Sequence, residues 1–490
     1  MSVFERGNDR VNRASCSNTY SWDVQSKIGN CQRDIRSTRQ KMVNSMKRRD
    51  WFAASALAAA AGWTATRSSM GVAAELPEGS GQNLKITDVQ TILTAPAGIR
   101  LVVVKVLTNQ PGLYGLGCAT FTQRARVVQT AVDQYLKPFL IGKDPTRIED
   151  IWQSSFVSSY WRNGPVLNNA ISGVDIALWD LLGKRAGLPV YELFGGKCRD
   201  AVDTYRHASG ESFEEVADAV RRYTDQGYRH VRVQVAVPGV STYGARRSDE
   251  DDSHVPENQR ASIWEPRPYV RTIPKLFDYL RQEVGPEVEL LHDVHERVPP
   301  VLAIQLAKDL EPYRLFFLED PFSPEDVGYF KILRTQTSTP LAMGELFNNP
   351  NEFTGLIQDR LIDFIRVHIS QIGGLTPARK LAAFCDFFAV RTAWHGPGDV
   401  SPVGHAANIH LDIATSNFGI QEARQFSQEE QDVFPGCPEL RNGYYWLSDR
   451  PGLGIDLDEQ AAAKFPIEDE PPFDFNWGNL RRADGAPAKP

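Results

Sequence analysis

Three short stretches decide the fold: Val288-Glu289-Leu290-Leu291-His292-Asp293, Leu315-Phe316-Phe317-Leu318-Glu319 and Leu341-Ala342-Met343-Gly344-Glu345. Each is a β-rich apolar run closing on an acid, and the acids stand 26 residues apart and then 26 again. That interval accommodates one strand with its return helix. Further runs end at Gln234, His368, His395 and Glu422, separated by amphipathic stretches such as 213–226 and 377–388. Alternating strands and helices mean a parallel sheet, and seven or eight units within residues 201–430 suit a closed TIM-like (β/α) barrel. No GxGxxG follows the first strand, which argues against an open dinucleotide fold.

Catalytic groups of such barrels project from the C-terminal strand ends. Acids in the same phase of three neighbouring strands are expected to converge at the mouth, where they repel unless a cation lies between them. Hard oxygen donors with room for water and substrate suit Mg²⁺. Three separate structural ion pairs are the alternative, and equal phase on consecutive strands argues against it.

Working outward, residues 84–200 open with two β-rich runs, 86–94 and 100–107, followed by helical periodicity over 126–140 and 170–182. These predict an α+β domain beside the barrel. Residues 239–268 are too long and too charged for an ordinary connection and read as a lid; a solvated insertion against a neighbouring subunit is the other reading. Residues 431–490 are expected to complete the capping region. Residues 1–74 carry twelve Lys or Arg against five Asp or Glu, leaving 42 against 56 for the rest. Met46-Lys47-Arg48-Arg49-Asp50 precedes the apolar run 53–63 and the small residues Val72-Ala73-Ala74. Such a charged start, apolar middle and small-residue end form an export signal, with paired arginines of the twin-arginine type over 46–74 and cleavage after Ala74. A basic tail on a cytoplasmic protein is the alternative.

Composition excludes several classes. A chain of 490 residues with 42% hydrophobic and 23% charged residues is globular and needs more than one core. A formal charge of −7 disfavours nucleic acid as a partner. No run of 18 apolar residues predicts a membrane span. Six scattered cysteines without a CxxC give neither a zinc module nor a disulfide framework.

The three acids, with the segment from Gly173-Val174-Asp175-Ile176-Ala177-Leu178-Trp179-Asp180 to Gly195-Gly196 and the turn Ile372-Gly373-Gly374-Leu375-Thr376, resemble the enolase superfamily. The resemblance runs from about Leu84 to the end. It implies a barrel with an α+β capping domain, and Asp293, Glu319 and Glu345 as Mg²⁺ ligands. The Trp179 segment identifies the fold and does no chemistry.

Within that superfamily, Arg232-Val233-Gln234 stands where racemases, epimerases and cycloisomerases carry Lys-x-Lys or Lys-x-His, which disfavours those activities. With Tyr243, Asp293-Val294-His295-Glu296, His395-Gly396-Pro397-Gly398-Asp399 and Gln421-Glu422, the pattern is similar to the D-mannonate dehydratase family. That resemblance implies dehydration of a sugar acid, D-mannonate and/or D-gluconate, to 2-keto-3-deoxy-gluconate, in a homo-oligomer. Tyr243 is the implied base, its pKa lowered by Arg232, and His295 the implied acid for the leaving 3-hydroxyl. Position 295, two beyond the Asp293 ligand, is expected on the same strand face. His207, Arg366, His395, Asp399 and Glu422 are implied substrate contacts. Thr122 stands where the family tends to place an asparagine. Arg366 and His368 read equally well as a pair satisfying one another inside the barrel. A metal-binding relative with little or no turnover is the competing function, and an aldonate panel tells the two apart.

Overall fold

The computed structural model describes residues 83–237, 245–247, 262–467, 480–482 and 484–489, with backbone alone at 245–247 and 262–263. Tyr243, the 1–74 leader with its 46–74 signal, and residues 239–244 and 248–261 of the lid lie outside them.

The first layer is an antiparallel meander of β1 (Ile86–Thr94), β2 (Leu101–Thr108) and β3 (Tyr114–Cys118). In the middle strand β2, Val102, Val104 and Val106 join an apolar cluster with this layer's own helices, while Leu101 and Val103 join the cluster continuous with the barrel core. Its period-2 alternation therefore serves two cores instead of one core and solvent. The helix Pro165–Ala186 lies across β3 so closely that a Cβ added at Gly115 or Gly117 would meet the Ala177 or Gly173 carbonyl oxygen at 1.9 Å. Only glycine permits that approach. Two buried acids tie this helix to the rest of the chain. Asp175 accepts the Thr376 N–H at 2.8 Å, in the first turn of the helix Leu375–Asp386. Asp180 accepts the Leu116 and Leu453 N–H groups at 2.9 and 2.8 Å. Each bond satisfies a backbone donor that water cannot reach.

Beyond the cap the strands run β4 (Val202–Gly210), β5 (His230–Val235), the lid pair β6 (Ala245–Arg247) and β7 (Ser262–Trp264), then β8 (Glu289–Asp293), β9 (Phe317–Glu319), β10 (Leu341–Met343), β11 (Phe364–Ile365), β12 (Arg391–Thr392) and β13 (Gln421–Glu422). Except for the lid pair, these are parallel neighbours in the order β12-β11-β10-β9-β8-β5-β4-β13. A parallel bridge from Thr392 to Phe418, just ahead of β13, closes the ring. Helical segments separate all eight strands, so the architecture is a (β/α)-type barrel carrying an α+β cap. The core is apolar from β2 through the barrel helices.

The strand ends differ from the sequence expectation in one consequential way. Asp293 and Glu319 do end β8 and β9 and stand opposite one another in register. Glu319 is also opposite Ala342 of β10, so Glu345 lies three residues past that level. Gly344, at φ 140°, turns the chain out of the strand before Glu345. His368 and His395 likewise lie three residues beyond β11 and β12. Equal spacing in sequence does not give equal height at the mouth, because β10 to β12 are only two or three residues long.

The C-terminal segment serves three places and not the capping region alone. β14 (Glu439–Arg441) and β15 (Tyr444–Trp446) form a hairpin whose second strand pairs antiparallel with β4. Residues 456–465 lie along the cap, where the Tyr114 hydroxyl donates to Asp456 Oδ1 at 2.6 Å and the Ala95 N–H to the Phe465 carbonyl at 2.8 Å. β16 (Leu480–Arg481) adds a parallel strand to β7 of the lid pair.

Candidate active site

Asp293, Glu319 and Asp320 each bring one carboxylate oxygen within 4.8 Å of the others at the barrel mouth, and all three are buried. Asp320 was not expected. It follows Glu319 at φ 41°, a left-handed conformation costly for a residue with a Cβ. It is held there by its N–H on the Ala342 carbonyl at 2.9 Å and by the Gly344 N–H on its Oδ1 at 2.8 Å. Glu345 lies apart from this trio: its carboxylate is 3.3 Å from Arg366 Nη1, 3.3 Å from His395 Nε2 and 3.8 Å from His295 Nε2. Glu319 Oε2 is buried without a hydrogen bond, and Asp293 Oδ2 and Asp320 Oδ2 are met only by guanidinium ion pairs at 3.1 and 3.5 Å, neither with hydrogen-bond geometry. Orphaned hard oxygens of this kind fit a divalent cation.

Two guanidinium groups hold the acids together. Arg232 Nη1 lies 2.8 Å from Glu319 Oε1 and 3.1 Å from Asp293 Oδ2. Its Nη2 lies 3.1 Å from His207 Nδ1. Arg366, fully buried, reaches Glu319 at 2.9 Å, Asp320 at 3.5 Å, and also Glu422 and the Tyr205 hydroxyl. It does not pair with His368, so the mutual-satisfaction reading of those two is overturned: Arg366 meets carboxylates, and His368 Nδ1 accepts the Ser370 N–H at 3.1 Å. Five carboxylates thus share two guanidinium groups, and the surplus negative charge is costly in a buried site unless another cation joins it.

The electrostatics follow from that crowding. Burial drives the Glu319 carboxyl well above its ordinary range despite Arg366 and Arg232, and Asp320 up to about 7 despite Arg366. Against burial, His395, His295 and Arg366 hold Glu345 well below its ordinary value, and Glu345 with Asp399 and Glu422 raises His395 to about 9. Burial, then Arg232, pushes His207 down to about 4, so it is a neutral ring. Its Nε2 faces Glu422 Oε1 at 2.7 Å.

His295 is not on the strand. β8 ends at Asp293, and His295 and Glu296 follow at φ 54° and 62°. The His295 N–H donates to Asp293 Oδ1 at 2.7 Å, and that turn, not strand periodicity, aims the ring at Glu345. Burial lowers its pKa, opposed by Asp293 and Glu345. Two consecutive residues other than glycine in left-handed conformation are strained, and strain of this kind gathers at functional sites.

Of the residues singled out in sequence, Asp293, Glu319, Glu345, Arg232, His207, His295, Arg366, His395, Asp399 and Glu422 form one linked cluster at the mouth. Thr122 is in the cap and its hydroxyl is engaged locally, 3.0 Å from Gln123 Oε1. The Tyr205 hydroxyl and Gln234, whose Nε2 donates to the Asp293 carbonyl at 2.6 Å, also belong to the cluster. The doublet Glu319-Asp320 at a strand end was the overlooked signal for Asp320.

An α+β cap on a (β/α) barrel with an acid cluster at the strand ends defines an enolase-type enzyme. Residues 82–195 match the mandelate racemase / muconate lactonizing enzyme N-terminal domain and 215–461 the enolase C-terminal domain-like family. A D-galactonate dehydratase family member of Salmonella enteritidis PT4 is 55% identical over 418 residues, covering 83% of this chain and 99% of the relative. A crystal structure of an enolase from Pantoea ananatis, with bound D-gluconate and Mg, is 54% identical at a TM-score of 0.78, covering 83% of this chain and all of that one. A putative dehydratase from Zymomonas mobilis is 30% identical at a TM-score of 0.68, over 77% of this chain and 97% of that one. The chain belongs to the enolase superfamily and, within it, to the D-galactonate dehydratase family.

Proposed function

We propose that the protein is a Mg²⁺-dependent hydro-lyase that takes a six-carbon sugar acid, D-mannonate and/or D-gluconate, to 2-keto-3-deoxy-gluconate. The observation that carries this reading is His295 Nε2 held 3.8 Å from Glu345, with the His295 N–H bonded to Asp293 of the buried trio Asp293, Glu319 and Asp320. A proton donor beside a hard-oxygen cation site is what loss of a hydroxyl next to a carboxylate requires. The Pantoea relative with D-gluconate and Mg supports the substrate class.

Asp293 and Glu319 would hold the ion, with Asp320 or Glu345 as the third acid. When bound, Mg²⁺ supplies the positive charge that makes the proton α to the substrate carboxylate removable. Tyr243 takes that proton at C2 and His295 gives one to the departing 3-hydroxyl. Arg366 and Arg232 keep the acids close enough for all of this at once. We propose further that the enzyme works as a homo-oligomer and that residues 46–74 direct its export.

The test is a panel of C5 and C6 aldonates offered to the Mg²⁺-loaded protein, with 2-keto-3-deoxy acid as the readout. Turnover of D-mannonate or D-gluconate is expected, abolished by a chelator and restored by Mg²⁺. Silence across the panel with retained Mg²⁺ binding would favour a binding role, and full activity without metal would reject the site.

A further inference from the structure

We infer that His368 is a specificity-determining residue that donates a hydrogen bond from Nε2 to one substrate hydroxyl, in a subsite completed by His395 Nδ1 and Asp399 Oδ1. The inference rests on the sugar-acid reading and deepens it. His368 and His395 face each other with ring centroids 5.3 Å apart, and one ligand atom each of His368, His395 and Asp399 lies within 4.8 Å of the other two. His368 Nε2, His395 Nδ1 and Asp399 Oδ1 are buried, and none of them makes a hydrogen bond. His395 Nδ1 and Asp399 Oδ1 approach only to 4.0 Å.

Two histidines and a carboxylate invite comparison with a transition-metal site, but the tautomer of His368 argues against one. The Ser370 N–H donates to His368 Nδ1 at 3.1 Å, so Nδ1 carries the lone pair and the ring proton sits on Nε2. A metal at Nε2 would require that proton to leave while the Ser370 amide still blocks Nδ1. Burial also keeps the ring neutral, with its pKa down at about 3. The neutral ring is therefore a donor only, and it is 2% exposed.

A hydroxyl oxygen fits what remains. The 4.0 Å between His395 Nδ1 and Asp399 Oδ1 leaves room for a hydroxyl at an ordinary hydrogen-bond distance of about 2.8 Å from each, longer than the roughly 2.1 Å of a metal–nitrogen bond. A hydroxyl accepts two hydrogen bonds and donates one. It can accept from His368 Nε2–H while donating to Asp399 Oδ1 or His395 Nδ1. A buried trio built to bond a hydroxyl penalises an analogue that lacks it, because its own polar groups are then stranded.

The experiment is calorimetric binding of D-gluconate and D-mannonate, and of the mono-deoxy analogues of whichever binds, to Mg²⁺-loaded wild type, His368→Asn and His368→Gln. Asparagine keeps an acceptor for the Ser370 amide and removes the donor at the reach of Nε2; glutamine keeps a donor there. One analogue should bind wild type about tenfold more weakly than its parent. That gap should shrink to within about threefold in His368→Asn and reopen in His368→Gln. The ¹⁵N-histidine resonance lost in His368→Gln should have the Nε2–H pattern in wild type and shift when the sugar acid binds. Equal gaps in wild type and His368→Asn at every hydroxyl, or an Nδ1–H pattern, would overturn the subsite while leaving the sugar-acid reading intact. Binding of neither acid by wild type would overturn both.

Discussion

If, as proposed, Tyr243 takes the C2 proton and His295 gives one to the leaving hydroxyl, replacing each should stop a different step. With Tyr243→Phe no base remains near C2, and both dehydration and exchange of the C2 hydrogen with deuterated water should vanish. With His295→Asn the C2 proton can still be removed but the 3-hydroxyl leaves unassisted, a loss of about 10²- to 10⁴-fold for general acid catalysis. Product assays should show dehydration collapsing while proton NMR in deuterated water still reports some exchange. Exchange kept in Tyr243→Phe and lost in His295→Asn would exchange the two roles. At this scale the sequence exposed the residues whose chemistry is tied to position: Asp293 and Glu319 end β-rich runs, and they face one another across neighbouring strands. It hid those placed by backbone strain. Nothing in the letters His295, Glu296 and Asp320 announces φ values of 54°, 62° and 41°, because, apart from the His295 N–H on Asp293, the hydrogen bonds that hold such angles come from neighbouring strands. The gathering of four carboxylates around Arg366 was hidden for the same reason: all four come from other βα units.

The helix Pro402–Ala414 is buried on every side, and two of its histidines are fixed in neutral form. His410 Nδ1 accepts the Tyr191 N–H at 3.2 Å, and His405 Nε2 lies 3.3 Å from the Pro397 carbonyl. Burial, aided at His405 by Arg424, pushes their pKa values down to about 4 and about 3. A histidine whose folded pKa is depressed contributes stability above its unfolded value of about 6.5, and that contribution is lost as the pH falls toward the folded pKa, because only the unfolded chain takes up the proton. Each should therefore steepen acid destabilisation by up to about 1.4 kcal/mol per pH unit between about pH 6 and 4. Urea unfolding across that range should show a shallower slope in His410→Gln than in wild type, whatever its effect at pH 7; an unchanged slope would assign the acid sensitivity elsewhere. The repeats were legible here: the 26-residue rhythm of β8 and β9 and the periodic barrel helices gave the architecture. Where the later strands end was not. β10 to β12 are too brief for a period to register, so Glu345, His368 and His395 stand beyond their strands. The hairpin β14–β15 was legible and overlooked: Asn442-Gly443, at φ 52° and 77°, is the two-residue turn such hairpins favour.

At the scale of the whole chain, the surplus of acid lies in the folded part. Residues 1–74 carry a net charge of +7 and the remainder −14, and the family match begins at residue 82. The basic stretch is thus additional to the cap and barrel, and its chemistry has to be explained separately. On the export proposal, Arg48-Arg49, the apolar run 53–63 and Ala73-Ala74 are the parts of a twin-arginine signal. That route carries folded proteins, which suits this one. The barrel closes only when β13 has paired with β4, across more than 200 residues of chain, and the buried acid cluster needs its partners in place before it is stable. Of the six cysteines, the four in the described residues are free, so an oxidising compartment is not needed to complete the fold. Replacing both arginines by lysine keeps the charge and removes the guanidinium pair the pathway reads. The precursor should then remain in the cytoplasm, uncleaved and active on the same aldonate as the wild type, as fractionation and immunoblotting would show. Cleaved protein outside the cytoplasm at the wild-type level would reject this route, and would leave the leader's charge and apolar run to act through another exporter.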